Sequence, residues 1–221
     1  MQKFDTPAPL TTVIDLPAGH IQVIAADRAD TTVDIRPADP AKNRDTKAAE
    51  QIQVQYQDGV LRITAPPATS RHLGPSGAAE VTVQLPAGSR VETTSAAVRF
   101  RAVGRLGDIV LDGAHGPVKI DEAASLHLTA TDSDITVQRL TGPGHITTQR
   151  GHITLHEAHT GTLELTTQQG DITLGATNSA VLDAGTTHGR IRNTLKNSEG
   201  ATAPLTIHAT TTHGDITARS L

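Results

Sequence analysis

"LELTTQQGDITL", residues 163–174, decides the fold, because close copies of it recur along the second half of the chain. "GHITTQRGHITL" stands at 144–155, "LDAGTTHGRIRN" at 182–193 and "IHATTTHGDITA" at 207–218, and residues 126–137 fit the same frame. The shared pattern is apolar-x-small/apolar-x-Thr-Thr-x-Gly-Asp-Ile-Thr-apolar. Within one unit Leu163 and Leu165 point one way and Glu164 the other; Ile172 and Leu174 point one way and Thr173 the other. Alternation of period two, in short β-branched runs broken by glycine, is the signature of strands.

Working outward, apolar pairs at 109/111, 118/120, 126/128, 135/137, 146/148 (Ile146 with Thr148), 153/155, 163/165 and 172/174 come roughly every nine residues. Short strands with regular corners describe a coil in which each turn buries its inward face on the next. Residues 91–221 therefore read as a β-strand-repeat solenoid, with degenerate copies at "VETTSAAVRF" (91–100) and "GDIVL" (107–111). Gly151 to Gly170 and Gly170 to Gly189 are both 19 residues, which suits two strands per coil, whereas Ile109 to Ile135 is 26, which suits three. Spacing alone leaves both open. The glycines at 107, 151, 170, 189 and 214 are read as structural turn positions (Gly107, Gly151, Gly170, Gly189, Gly214).

Residues 1–90 are β-rich with longer runs, such as "TTVIDLP", "HIQVIA" and "EVTVQLP", bounded by Pro and Gly. They are expected to form a sheet that caps one end of the solenoid, which would otherwise be a sticky edge. "PADPAKNRDTKAAEQI" (37–52) has room for one short helix. "PPATSRHLGPSGAA" (66–79) reads as a flexible loop and "KNSEGATAP" (196–204) as a surface loop. The all-β reading is thus a 1–90 region followed by a 91–221 solenoid, separate or continuous.

Composition agrees. The chain of 221 residues has two Phe, one Tyr and no Trp, so its core is made of Ile, Val, Leu and Ala, which suits a thin cross-section. A formal charge of −4 argues against general affinity for nucleic acid or anionic membranes. The absence of cysteine excludes disulfides, thiol catalysis and Cys-type zinc sites. The opening "MQKFDTPAPLTTVIDL" lacks a basic segment followed by an apolar one, and no run approaches the ~18 apolar residues of a membrane helix. A cytoplasmic protein is expected, although a processed surface or secreted form would read the same.

A "GHIQVIA" strand, then "VTVQLPAGSRVETTSA", then serial G-D-I-x-L units gives an order of features that resembles the bacterial "putative-adhesin" family of β-strand-repeat proteins, a domain of unknown function with serial G-D-I/V repeats. The V-x-L-P-A-G-S-x-V segment at 83–91 is more specific than any single G-D-I. The resemblance implies a right-handed β-solenoid or β-prism-like fold and transfers no catalytic residues. In this chain the Asp of G-D-I is His at 145 and 152 and Arg at 190, which speaks against a required carboxylate there.

Three side-chain sets could carry chemistry. Asp108, Asp134, Asp171 and Asp215 share one repeat position, and stacked carboxylates on a β-helix surface could supply an acid and a base. The structural alternative, that Gly turns a corner and Asp satisfies backbone donors there, accounts better for the His and Arg replacements. His145, His152, His156 and His159 lie close in sequence and are weak candidates for metal ligands, and His188 and His213 share a repeat position at which they could stack. Thr136, Thr154, Thr173 and Thr217, with the pairs Thr147–Thr148, Thr166–Thr167, Thr186–Thr187 and Thr211–Thr212, suggest an outward threonine ladder of the kind that binds ice in some solenoids, interrupted by Val110 and Arg192. Thr is also simply a good outward strand residue. No P-loop, nucleophile elbow or H-E-x-x-H occurs.

These readings favour a non-enzymatic scaffold or binding module, adhesin-like, with an unknown protein or glycan partner, no cofactor and no resident metal. Homo-oligomers through the solenoid ends are one further option. The alternative is a carbohydrate-active β-helix enzyme using the stacked Asp residues.

Overall fold

Leu163, Leu165, Ile172 and Leu174 are completely buried, and between the two pairs the chain turns a corner at Gly170–Asp171. That corner is the unit from which the molecule is built. A computed structural model describes residues 1–66 and 77–221; the expected flexible loop at 66–79 falls mostly outside them. The strands are β1 (Gln2–Asp5), β2 (Thr11–Ala26), β3 (Asp30–Pro37), β4 (Gln53–Gln57), β5 (Val60–Thr64), β6 (Ala79–Pro86), β7 (Arg90–His115), β8 (Val118–Asp132), β9 (Ile135–Leu140), β10 (Gly144–Arg150), β11 (Ile153–Ala158), β12 (Gly161–Gln169), β13 (Ile172–Ala176), β14 (Ala180–His188), β15 (Ile191–Thr194), β16 (Leu205–His213) and β17 (Ile216–Ser220), with a helix α1 (Asn43–Gln51). They join in one mostly parallel ladder that coils as a β-solenoid.

Each coil contributes one strand to a front sheet and one to a back sheet. In front, the end of β8 is followed in register by β10, β12, β16 and β14. Behind, β9 is followed by β11, β13, β17 and β15. There are therefore two strands per coil. The offset of 26 compared different faces, since Ile109 lies in front opposite Leu126 while Ile135 lies behind opposite Val118. An isoleucine ladder, Ile135–Ile153–Ile172–Ile216–Ile191, runs through the back sheet. Its members are sealed except Ile191, which is 45% exposed on the last rung.

The N-terminal region builds the first coil and, as expected, caps the end of the solenoid. β2 turns from front to back, pairing with β5 and then β6 on one side and with β7 on the other. Antiparallel β4 ends the front sheet, and antiparallel β3 and β1 end the back sheet. One apolar core runs from Leu10 to Ala218, with Phe100 its largest fully buried side chain. The helix falls inside the stretch that had room for one, and Asp45, its single buried residue, accepts a hydrogen bond from the Ala78 backbone at 3.0 Å. No helix among the described residues is long and apolar enough to cross a membrane.

Spatial order departs from chain order at the far end. The rung 205–220 sits between 161–176 and 180–194, pairing with both in front and behind. The chain skips one rung after Ala176, lays down β14 and β15, then returns through 195–204 to fill the gap.

Candidate functional site

The corner between front and back sheets holds three of the four carboxylates, Asp134, Asp171 and Asp215. Asp134 Oδ1 accepts the backbone N–H of His152 at 2.9 Å, and His152 Nδ1 accepts that of Asp171 at 3.0 Å. Asp171 Oδ1 accepts that of Asp215 at 2.7 Å, and Asp215 Oδ1 accepts that of Arg190 at 2.9 Å. Each corner side chain thus satisfies the backbone donor one rung further along. This explains the variation at the position: a neutral imidazole accepts as well as a carboxylate does, and Arg190, on the last rung, has no further donor to satisfy. Asp171 stands on this convex corner with 52% of its side chain exposed.

Two residues leave the set. Asp108 lies outside this row: it accepts from Ser125 Oγ at 2.6 Å and pairs with Arg90 at 3.2 Å, where the chain re-enters the front sheet. Gly107 belongs there too, donating its N–H to Ser89. Likewise the first Gly-His of "GHITTQRGHITL" is no corner, since Gly144 is in register with Leu163 and His145 with Glu164. Gly151, Gly170, Gly214 and Gly189 do stack at one corner, the carbonyl of each rung lying against the α-carbon of the next.

Replacing Asp171 by alanine strands the Asp215 N–H and is predicted to cost about 1 kcal/mol. Asparagine keeps a carbonyl acceptor and is predicted to leave the urea midpoint nearly unchanged. Equal losses for the two would refute the acceptor role.

The four candidate metal ligands are dispersed. His145 is on the front face, His152 at the corner, His156 on the back face, and His159 at the opposite corner 3.9 Å from Glu157. Among the described residues no three His, Cys, Asp or Glu side chains gather closely enough to hold a metal ion. A shallow depression of about 360 Å³ lies near Arg105, Asp121 and Arg139. Arg139 is committed there, bonding Glu157 at 2.7 Å and Glu122 at 3.4 Å; its hydrogen bond holds the Glu157 carboxyl below the usual carboxylate range.

The threonines divide. Thr136, Thr154, Thr173 and Thr217 form one outward row on the back sheet, between Lys119 and Arg192. Val110 is not in it, being a front-face neighbour of His127. In three of the four Thr-Thr pairs one member is buried, Thr148, Thr167 or Thr211, and Thr167, Thr211 and the half-buried Thr186 donate to the corner carbonyls of Gly151, Gly170 and Gly214. They serve the turn.

What remains is the front face with its outward polar columns, and beside it His188 and His213 stack as their shared repeat position led us to expect. One column reads His127, His145, Glu164, His208, Asp183. The His127 and His145 rings stack at 5.0 Å, His145 Nδ1 meets Glu164 at 2.7 Å, and His208 meets Asp183 at 3.4 Å. Beside it run Thr129, Thr147, Thr166 and Thr210, and beyond them the exposed Thr131, Gln149, Gln168, Thr212 and Thr187; next to the corner glycines, at the edge of the sheet, stand Asp132, Arg150, Gln169, His213 and His188, the last two stacked at 4.7 Å. The signal was present as the second residue of each unit, between two leucine-like positions.

The chain matches the family described as Toastrack DUF4097 over residues 12–220. It is similar to a "putative adhesin" from Bacteroides fragilis, at 16% identity and a TM-score of 0.43, covering 100% of this chain and 95% of that one. It is also similar to a "putative cell adhesion protein" from Clostridium sporogenes, at 13% identity and a TM-score of 0.37, covering 100% and 98%. A "putative adhesin" from Parabacteroides distasonis follows at 12% identity and a TM-score of 0.37, covering 100% and 95%. No curated protein matches the chain.

Proposed function

The chain belongs to the Toastrack DUF4097 family, and from that premise we propose that it is a non-enzymatic β-solenoid binding module that presents its front face to a protein or glycan partner. The observation that carries this reading is the division of labour among the repeated polar residues. Those at the corner are consumed by the backbone: Asp134, His152, Asp171 and Asp215 each hold an N–H of the next rung. Those on the front face, among the described residues, bond one another and face solvent, in columns whose successive rungs are spaced by the ~4.8 Å of strand pairing. A regular polar surface of this kind suits an extended partner better than a small substrate, which needs a concave site. An adhesin-like role, the word carried by the names of the similar structures, is one form of such a module.

The test is a panel of immobilised polysaccharides, scored both for capture of the full chain and for release of reducing ends. Capture without cleavage, weakened when Thr147 and Thr166 are both changed to lysine, is the expected result. Cleavage of any polysaccharide that Asp171→Asn abolishes would overturn the reading and place the chemistry at the corner.

A further inference from the structure

The back face carries the opposite balance of charge from the chain as a whole. Its outward row of Thr136, Thr154, Thr173 and Thr217 is continued in register by Lys119 and then Arg101 at one end, and by Arg192 at the other. Arg99 stands two residues from Arg101, Arg219 two from Thr217 and Arg190 two from Arg192, so all point to the same side. Among the described residues none of these six cations forms an ion pair, whereas Arg28, Arg36, Arg90, Arg139 and Arg150 all do. The carboxylates beside them are Asp121 and, in the corner row, Asp134, Asp171 and Asp215. Each is tied to a backbone N–H: Asp121 accepts from Gly104 at 3.2 Å, and the other three from the next rung. At the opposite edge Arg105 and Arg139 are matched by Glu122 and Glu157. Glu80 lies further out, in register with Arg36. Six cations against four carboxylates leave this side two positive charges, on a chain whose formal charge is −4.

The arrangement shows what such a face would take. Arg101 and Lys119 are exposed and directly in register on neighbouring strands. Like charges so placed repel, which is unfavourable until an anion lies across them. Five strand spacings separate Lys119 from Arg192, or about 24 Å at ~4.8 Å each, and every strand between them presents a threonine hydroxyl. A ligand that meets both ends is therefore long, linear and anionic, with groups that exchange hydrogen bonds with hydroxyls along its length. The outward rows have no aromatic ring other than imidazole on which to stack bases. Leu221, against Gly175, is a single exposed apolar side chain and too little to insert into a bilayer. The front-face carboxylates point outward from the other side of a core about 10 Å thick. That is beyond the Debye length of about 8 Å at physiological ionic strength, so they do not cancel the attraction.

We propose that the back face is a second binding surface, independent of the front-face reading, that takes a linear acidic polysaccharide laid across the strands. Anionic groups of the polymer bridge Arg101 and Lys119 at one end and meet Arg192 and Arg219 at the other, and its hydroxyls meet the threonine row between them.

The probe is polygalacturonate, a linear polymer with a carboxylate on each ring, with uncharged dextran, single-stranded DNA and anionic phospholipid vesicles as comparisons. Titrated against the full chain at about pH 7.5 in about 0.1 M salt, polygalacturonate is expected to bind and dextran not to, and raising the salt to about 0.5 M to weaken binding at least about tenfold. Changing Arg101 and Lys119 together to glutamine is expected to lower the affinity at least about tenfold while leaving the urea midpoint unchanged or raised, because a repulsion is removed. Changing Arg192 and Arg219 together to glutamine is expected to lower it by a similar factor, which ties both ends to one ligand. The charge-matched change of Arg62 and Arg90 to glutamine, on the front sheet, is expected to alter it by less than about threefold. Equal losses in front-sheet and back-face variants, binding that neither back-face variant weakens, no binding in the lower salt, or tighter binding to the DNA or the vesicles than to polygalacturonate overturns the inference. None of the substituted residues belongs to the front-face columns, so each of these outcomes leaves the front-face reading as it stands.

Discussion

Gly170→Val is expected to destabilise the protein by roughly 3–5 kcal/mol, combining backbone strain with overpacking against fixed atoms. Gly170 has φ +149°, a conformation nearly reserved for glycine. A β-carbon there would sit 2.1 Å from the Gly151 carbonyl oxygen. The obstruction is backbone, so no side chain can rotate away, and the stack continues on the other side. Gly214 lies against the Gly170 carbonyl with the same geometry, its own β-carbon position 2.0 Å from that oxygen. Relief at one corner would therefore displace two rungs and the Asp171–Asp215 bond between them. The measurement is the urea midpoint at constant slope. Gly185→Ala is the control: its β-carbon would meet nothing nearer than the Thr210 methyl at 3.9 Å, and the change is expected to lie within about 0.5 kcal/mol. A Gly170→Val loss as small as the control's would mean the corner stack is wrong.

The corner shows why part of this molecule can be read without a structure. Inward Leu163 and Leu165, the turn at Gly170 and the backbone role of Asp171 are local properties, each visible as a departure from polar alternation. The number of strands per coil was not local, since Ile109 and Ile135 carry the same residue type on different sheets. The same equivalence put His145 and Asp108 in the corner set: Gly-His-Ile and Gly-Asp-Ile look alike at either end of a strand. The front-face columns escaped for a different reason. His127, Glu164, His208 and Asp183 are far apart in the chain and differ in type, so only register makes them one surface. The inserted rung was also hidden, because Gly170 to Gly189 keeps the 19-residue period although Gly214 is the neighbour in space. One clue existed: Asn193 takes the inward place held by Leu155, Leu174 and Ala218. A polar residue is tolerated there only where no further rung covers it.

That insertion makes the second prediction counterintuitive. Ending the chain at Pro204 removes 17 residues from the C-terminus, yet it takes out the middle of the far end. Leu205, Ile207, Ala209, Ile216 and Ala218 are all completely buried between two rungs. Full burial of the three larger side chains alone is worth roughly 5–9 kcal/mol at about 1.5–3 kcal/mol each, comparable with the whole stability of a typical domain. Residues 180–194 would lose their strand partners, β16 and β17, and their amides are expected to exchange without protection. Deleting 180–203 instead removes 24 residues and is expected to do far less. Thr177, Asn178, Ser179 and Pro204 would then lead directly from β13 into β16, much as Thr141, Gly142 and Pro143 lead from β9 into β10. The carbonyl that each proline supplies to the preceding rung is kept, Pro143 to Leu126 and Pro204 to Gly161. The solenoid would end one rung shorter, in simple chain order, with most of its unfolding free energy retained. If the chain ending at Pro204 proves the more stable of the two, with 180–194 still protected, the C-terminal rung is not interposed and the solenoid is sequential after all.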